Sequence, residues 1–270
     1  MLLCLDVGNT HIVGGLFDGD SLKLRFRYAT NQIGTADQFG IFLRGILQTN
    51  KIGDEQIKTF ALSSVVPSCN YTIRHAITQY FPKAEYFILQ AGVKTGINIK
   101  YKNPNEVGAD LIAGAIGGVS AFPGKNLIIV DLGTATTLVA VSKKNDFLGG
   151  VIMPGMRLSM ESLRSNTAKL MEVDIEMPDT YLGQSTRECI QRGLYFGHLG
   201  AMKEVIAGYT QELFAGEKPV VIGTGGFSQL FRDKKVFDTI LPDLVLQGIR
   251  IAYDNSRAAK SPLPPVGEGT

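Results

Sequence analysis

Apolar positions fall into short strand-like runs and then into helical spacings, and this order occurs twice. Residues 2–7, 11–17 and 22–28 read as three strands punctuated by Gly8, Gly19 and Asp20. Thr35-Ala36-Asp37-Gln38 then opens a helix, with Phe39, Phe42, Leu43, Ile46 and Leu47 at helical spacing. Residues 60–66 predict a strand, 69–80 a helix and 86–89 a strand. Asn103-Pro104-Asn105-Glu106 reads as a helix start, with Asn103 as N-cap, Pro104 in the first position and Glu106 closing a capping box. That helix continues through Ala113, Gly114, Ala115, Gly117 and Gly118 and stops before Pro123. So many small side chains imply close packing against another backbone.

The strand pattern restarts at 127–131, 136–141 and 147–152. Helices follow at about 156–170 and 184–214, then a strand at 219–223 and a last helix near 241–257. The recurrence predicts a duplicated α/β unit, with domains at 1–118 and 119–257. Residues 258–270 are rich in Pro and Gly without apolar periodicity and read as a disordered tail.

Composition narrows the classes. With 270 residues, 44% hydrophobic and 19% charged, the chain reads as a soluble globular protein. A formal net charge of +2 leaves no basic surface for nucleic acid. Cys4, Cys69 and Cys189 lie far apart without a CxxC pair, which points to reduced thiols in a cytoplasmic protein. Asp6 interrupts the opening apolar run too early for a signal peptide, and no run is long enough to span a membrane. The sequon at Asn70 then reads as accidental.

Two acidic turns carry the candidate chemistry. Asp6-Val7-Gly8-Asn9-Thr10 follows the first strand, and Asp131-Leu132-Gly133-Thr134-Ala135-Thr136-Thr137 follows the apolar run 126–130. Each puts a carboxylate at a strand end, then a Gly that admits close backbone approach, then hydroxyls. A carboxylate so placed can hold a cation that bridges phosphate oxygens, and amides around Gly8 can cradle an anion. One such Asp alone reads more readily as a strand ending or turn cap; the matched second copy reverses this in favour of the functional reading. Asp110, on the helix opened at Asn103, shares a face with Val107, Leu111 and Gly114. A carboxylate facing packed structure there suits a general base for a substrate hydroxyl, or else a helix-packing group satisfied by a backbone donor.

Gly223-Thr224-Gly225-Gly226 after an apolar run suits close approach of a nucleotide, but the GxGxxG form is incomplete and no P-loop is present. The stretch 149–155 reads as a backbone-approach turn or a hairpin exit. His11 adjoins the first turn, while His75 and His198 read as structural. The helix at 184–214 has a broad apolar surface, suiting burial or a subunit contact.

These segments together resemble type III pantothenate kinase, of the acetate kinase/hexokinase/Hsp70/actin-like superfamily, from about residue 1 to 254. The resemblance rests on Asp6 to Thr10, Asn103-Pro104 with Gly108-Ala109-Asp110, Asp131 to Thr137, Gly149 to Gly155 and Thr186 to Gly193. It implies duplicated ribonuclease H-like domains with a nucleotide cleft between them, and ATP-dependent phosphorylation of pantothenate, the first step towards coenzyme A. It implies that Asp6, Val7, Gly8, Asn9, Thr10, His11 and Thr134 bind ATP, with Asp6 near Mg²⁺ and Asp131 on a monovalent cation (K⁺ or NH₄⁺). Asp110 would accept the hydroxyl proton, and Tyr101, Gly108, Ala109, Asp110 and Leu111 would contact pantothenate. Thr186 would reach substrate across a homodimer interface. Leu111 departs from the family's usual Arg, which puts substrate affinity rather than reaction type in question. A sugar or acetate kinase, and a non-catalytic ATP-binding regulator of the same fold, stand as alternatives.

Overall fold

A computed structural model of the chain describes residues 1–90 and 92–258. In order the elements are β1 (Leu2–Val7), β2 (His11–Asp18), β3 (Ser21–Ala29), α1 (Ala36–Thr49), β4 (Thr59–Ser64), α2 (Pro67–Tyr80), β5 (Glu85–Ile88), β6 (Asn98–Ile99), α3 (Ala109–Ala121) and β7 (Leu127–Leu132). They continue with β8 (Ala135–Val141), β9 (Asp146–Pro154), α4 (Met156–Asn166), α5 (Thr186–Glu212), β10 (Val220–Thr224), β11 (Thr239–Ile240) and α6 (Leu244–Ala258).

Two compact units result. Among the described residues, one holds Met1–Ile97, Asn105–Ile116 and the helix residues from Val245 to Ala258; the other holds Asn98–Pro104 and Gly117–Leu244. The split therefore differs from consecutive stretches at 1–118 and 119–257, because α6 returns to the first unit. Of the expected tail, Ala258 closes α6 and residues 259–270 lie outside the described residues.

In the first unit the sheet order is β3-β2-β1-β4-β5, with the first three strands antiparallel and β4 and β5 parallel to β1. The second unit repeats this as β9-β8-β7-β10-β11, with the same directions, and adds β6 beside β9. The duplication anticipated from the strand–helix order is thus present strand for strand.

Alternation along β1 sends Leu3, Leu5 and Val7 into a core with Phe39, Leu43 and Leu47 of α1 and Ile73 and Ile77 of α2. Burying each such side chain contributes about 1.5–3 kcal/mol. α1 starts on a capping box between Thr35 and Gln38, and Asp37 accepts hydrogen bonds from Gln79 (2.9 Å) and the Tyr80 hydroxyl (2.8 Å), tying α1 to α2. The opposite sheet face meets α6: Tyr253 and Thr59 share a hydroxyl hydrogen bond of 2.9 Å, and a Cβ on Gly15 would fall 2.9 Å from the Leu246 Cδ1.

The small residues of α3 serve the close approach they imply. A Cβ at Gly248 of α6 would fall 2.5 Å from the Ala113 carbonyl carbon, and one at Gly117 would fall 2.5 Å from the Leu244 carbonyl oxygen. In the second unit Ile128, Val130 and Leu132 pack with Met156 and Met160 of α4 and Ile190, Leu194, Leu199 and Met202 of α5. His198 is structural, its ring nitrogens 2.8 Å from the Leu194 oxygen and 3.1 Å from the Pro154 oxygen.

Candidate active site

Asp6 and Asp131 are both the fifth residue of a six-residue strand, at the middle position of the repeated five-strand order. Alternation places each on the face opposite the Leu/Val core, at the carboxyl end of the strand. The hairpins that follow differ by one residue: three residues separate β1 from β2, whereas two separate β7 from β8. Asp6 consequently faces Val13 while Asp131 faces Thr137.

The first turn is more tightly braced than its sequence suggests. Gly8 donates its N–H to the His11 carbonyl (3.0 Å), so this one amide of the turn is used in closing the hairpin. Thr30 pins the turn from outside, its hydroxyl donating to the Gly8 carbonyl (2.7 Å) and its N–H to the Thr10 carbonyl (3.0 Å). Nothing in the pattern near Thr30 singled it out. Val7 has its side chain in the core, which leaves only its backbone for a ligand; Asn9, Thr10 and His11 are exposed.

Asp110 reaches this same end of the first unit's sheet. A Cβ on Gly108 would lie 3.4 Å from Val65, and Val65 donates its N–H to the carbonyl of Val7, the neighbour of Asp6. The local structure differs from the expected helix. Pro104–Glu106 is an isolated 3₁₀ turn, and α3 starts only at Ala109, its first hydrogen bond running from Ile112 N–H to the Gly108 carbonyl (3.1 Å). Gly at the position before the helix suits a backbone that must leave helical geometry there. Asp110 therefore stands in the first turn instead of two turns in.

That placement sets its electrostatics. Burial pushes the Asp110 carboxyl above the ordinary carboxylate range, opposed by N–H groups at the helix start. Leu111 N–H donates to Oδ1 at 2.8 Å, and the positive end of the helix dipole favours the anion. The carboxylate is thus more basic than usual yet has donors to stabilise its charge. Position 111 acts on Asp110 through its backbone, a contact that Leu supplies as well as Arg.

In the second unit, Asp131 is hemmed in by glycines. Gly225 adopts φ +84°, and a Cβ there would fall onto the Asp131 carboxylate and 2.6 Å from the Leu132 backbone nitrogen. The glycine turn at 223–226 is therefore shaped around this carboxylate. Gly155, at the start of α4, donates its N–H to the Thr134 carbonyl (3.1 Å), and a Cβ on it would lie 2.5 Å from the Gly133 oxygen. The stretch 149–155 is thus the end of β9, just past a register shift at Leu148, and then a helix start. Gly149, at φ +126°, lies under the Tyr101 ring, 3.6 Å from a Cβ built there. Thr186 is exposed at the first position of α5, whose cap is Ser185 accepting from Glu188 N–H (3.3 Å).

The structure therefore gathers Asp6 to His11 with Gly108 to Leu111 in the first unit, and Asp131, Thr134, Tyr101 and Thr186 belong to the second. Among the described residues no group of three or more His, Cys, Asp or Glu could hold a metal ion. A single carboxylate beside hydroxyls does not suit a structural zinc. It does suit a hard cation that keeps water and phosphate oxygens as its other ligands.

The profile of the family described as type III pantothenate kinase matches residues 2–208. A Legionella pneumophila (strain Corby) protein named type III pantothenate kinase is 52% identical over 252 residues, covering 93% of this chain and 98% of that one. The chain belongs to the type III pantothenate kinase family. A Francisella tularensis relative named type III pantothenate kinase 1 is 43% identical, covering 95% of this chain and all of its own. A Sinorhizobium meliloti crystal structure, provisionally named 2-dehydro-3-deoxygalactonokinase, aligns with TM-score 0.56 at 10% identity over the full length of both. That likeness places the two mixed sheets among the actin/hexokinase-like folds. No described helix is long and apolar enough to cross a membrane.

Proposed function

We propose that this chain is a pantothenate kinase, transferring the γ-phosphoryl group of ATP to the hydroxyl of pantothenate and giving 4′-phosphopantothenate, the first step towards coenzyme A. Family membership over most of the chain supports this, and the placement of Asp110 at the Asp6 end of the sheet carries it. Asp110 is oriented by Leu111 N–H and made more basic by burial, and takes the hydroxyl proton as the oxygen attacks. The Asp6 to Thr10 turn, with Thr30 holding it rigid, positions the phosphates; His11 lies at its edge. Thr134 contacts ATP, its backbone fixed by Gly155.

Asp6 is the residue to hold Mg²⁺ and Asp131 the one to hold K⁺ or NH₄⁺. Bound there, these cations offset charge on the phosphate oxygens. Tyr101, Gly108, Ala109 and Leu111 line the pantothenate site. Thr186 reaches substrate from a second copy of the chain in a homodimer, and the enzyme works in the cytoplasm. The test is ADP release coupled to pantothenate, with product mass measured, in the presence and absence of K⁺. Turnover with a sugar or acetate but not pantothenate would reject the substrate; nucleotide binding without product would favour a regulatory protein.

A further inference from the structure

Ser63 lies on β4, in register with Asp6 on the adjacent parallel strand β1. In-register neighbours on parallel strands share a sheet face at a spacing of about 4.8 Å, so the Ser63 hydroxyl and the Asp6 carboxylate stand side by side. Ser63 is 0% exposed, and its Oγ has no hydrogen-bond partner among the described residues. A buried hydroxyl left unpaired costs about 1–3 kcal/mol, and such groups are few in folded proteins.

The duplicated fold supplies an internal comparison. In the second unit the residue in register with Asp131 is Thr224, on β10, the counterpart of β4. Thr224 is equally buried, but its hydroxyl donates to the Leu241 carbonyl at 2.8 Å. The same topological position thus has a hydroxyl in both halves. In one it closes a backbone contact; in the other it has none and borders the carboxylate assigned to the divalent cation. The next residue, Ser64, shows that β4 can satisfy a hydroxyl when the fold requires it: its Oγ donates to Asn70 Oδ1 at 2.6 Å.

We propose that Ser63 is a positioning residue of the metal–nucleotide site, its hydroxyl donating to the Asp6 carboxylate and accepting from the water shell of the cation which that carboxylate holds. This rests on the kinase reading above. It explains why a polar side chain is kept at a sealed position where Ala would fit, and it makes the hydroxyl a ligand-bound contact and not a contribution to the free fold.

The test is calorimetric binding of ADP to the full-length protein, with Mg²⁺ and with EDTA, alongside thermal unfolding of the free protein. Ser63→Ala is expected to weaken Mg·ADP binding about tenfold, the effect of losing one hydrogen bond to a charged group. Metal-free ADP binding stays unchanged, and the midpoint of the free protein stays level or rises. Ser63→Thr, the side chain that the equivalent strand already accommodates, restores Mg·ADP binding. Unaltered Mg·ADP affinity in Ser63→Ala, a lowered midpoint of the free protein, or no rescue by Thr would each overturn the proposal. A wild-type protein that binds no Mg·ADP would instead overturn the kinase reading on which it stands.

Discussion

Gly248→Ala sets two calculable effects against each other. Within a helix, Ala is favoured over Gly by about 0.8–1.0 kcal/mol, so propensity alone predicts stabilisation. The tertiary structure predicts the reverse. The added methyl would lie 2.5 Å from the Ala113 carbonyl carbon and 3.0 Å from its Cα, and closer still to the carbonyl oxygen. These are main-chain atoms of α3, which cannot turn aside as a side-chain tip can. Overpacking of this kind costs about 1–3 kcal/mol, and a rigid neighbour puts it towards the upper end.

The net expectation is destabilisation of about 1–2 kcal/mol, or roughly 2–8 °C in the thermal midpoint. Gly45→Ala on α1 is the matched control, because nothing lies within 4 Å of a Cβ there and the position is exposed. It should gain up to about 1 kcal/mol. Urea and thermal unfolding of both variants, read by circular dichroism, give the comparison. Since Asp110 lies on the first turn of α3, Gly248→Ala should also lower kcat several-fold well below its midpoint. Equal stabilisation by the two substitutions would refute the claim that contact with α3 reserves position 248 for Gly.

Asp110→Asn should reduce kcat by at least about 100-fold, the usual scale for a lost general base, with folding intact. Its folded carboxyl is raised above the unfolded value, so the native state binds more protons between the two values, and stability contributed by this group rises as pH falls. At neutral pH Asn should leave the midpoint unchanged or higher, whereas a large drop would show that Asp110 serves the fold. For the wild type, the acid limb of kcat/KM should lie above the ordinary carboxylate pKa of about 4; a limb at or below it would exclude Asp110 as the titrating base. Gly225→Ala places a methyl on the Asp131 carboxylate at φ +84°. It should cost about 1–3 kcal/mol and raise the K⁺ concentration for half-activation, and unaltered K⁺ dependence would detach Asp131 from the monovalent cation.

Much of this molecule is local, and local patterns are legible in one dimension. The strands at 2–7, 11–17 and 22–28, the Thr35 start of α1 and the restart near residue 127 follow from period-2 alternation and cap chemistry, which act over a few residues. The two acidic turns were visible because each is one contiguous stretch, and recognition of the family followed from their order with Asp110. Sequence pattern missed the short edge strands β6 and β11, each two residues long, because their pairing comes from partners elsewhere in the chain. It also started α3 too early: Asn103-Pro104 has cap chemistry, but the helix needs the turn at Gly108, where the chain packs on Val65.

The sequence by itself determined the class of fold, its duplication and which carboxylates stand at strand ends, because each depends on near neighbours and on repetition. Only the tertiary structure decided which glycines admit a neighbouring backbone, which unit receives α6, and that Thr30 and Ser63 flank the Asp6 turn. Those facts depend on atoms brought together from distant parts of the chain. A hydroxyl 57 residues from Asp6 becomes its neighbour through strand register alone.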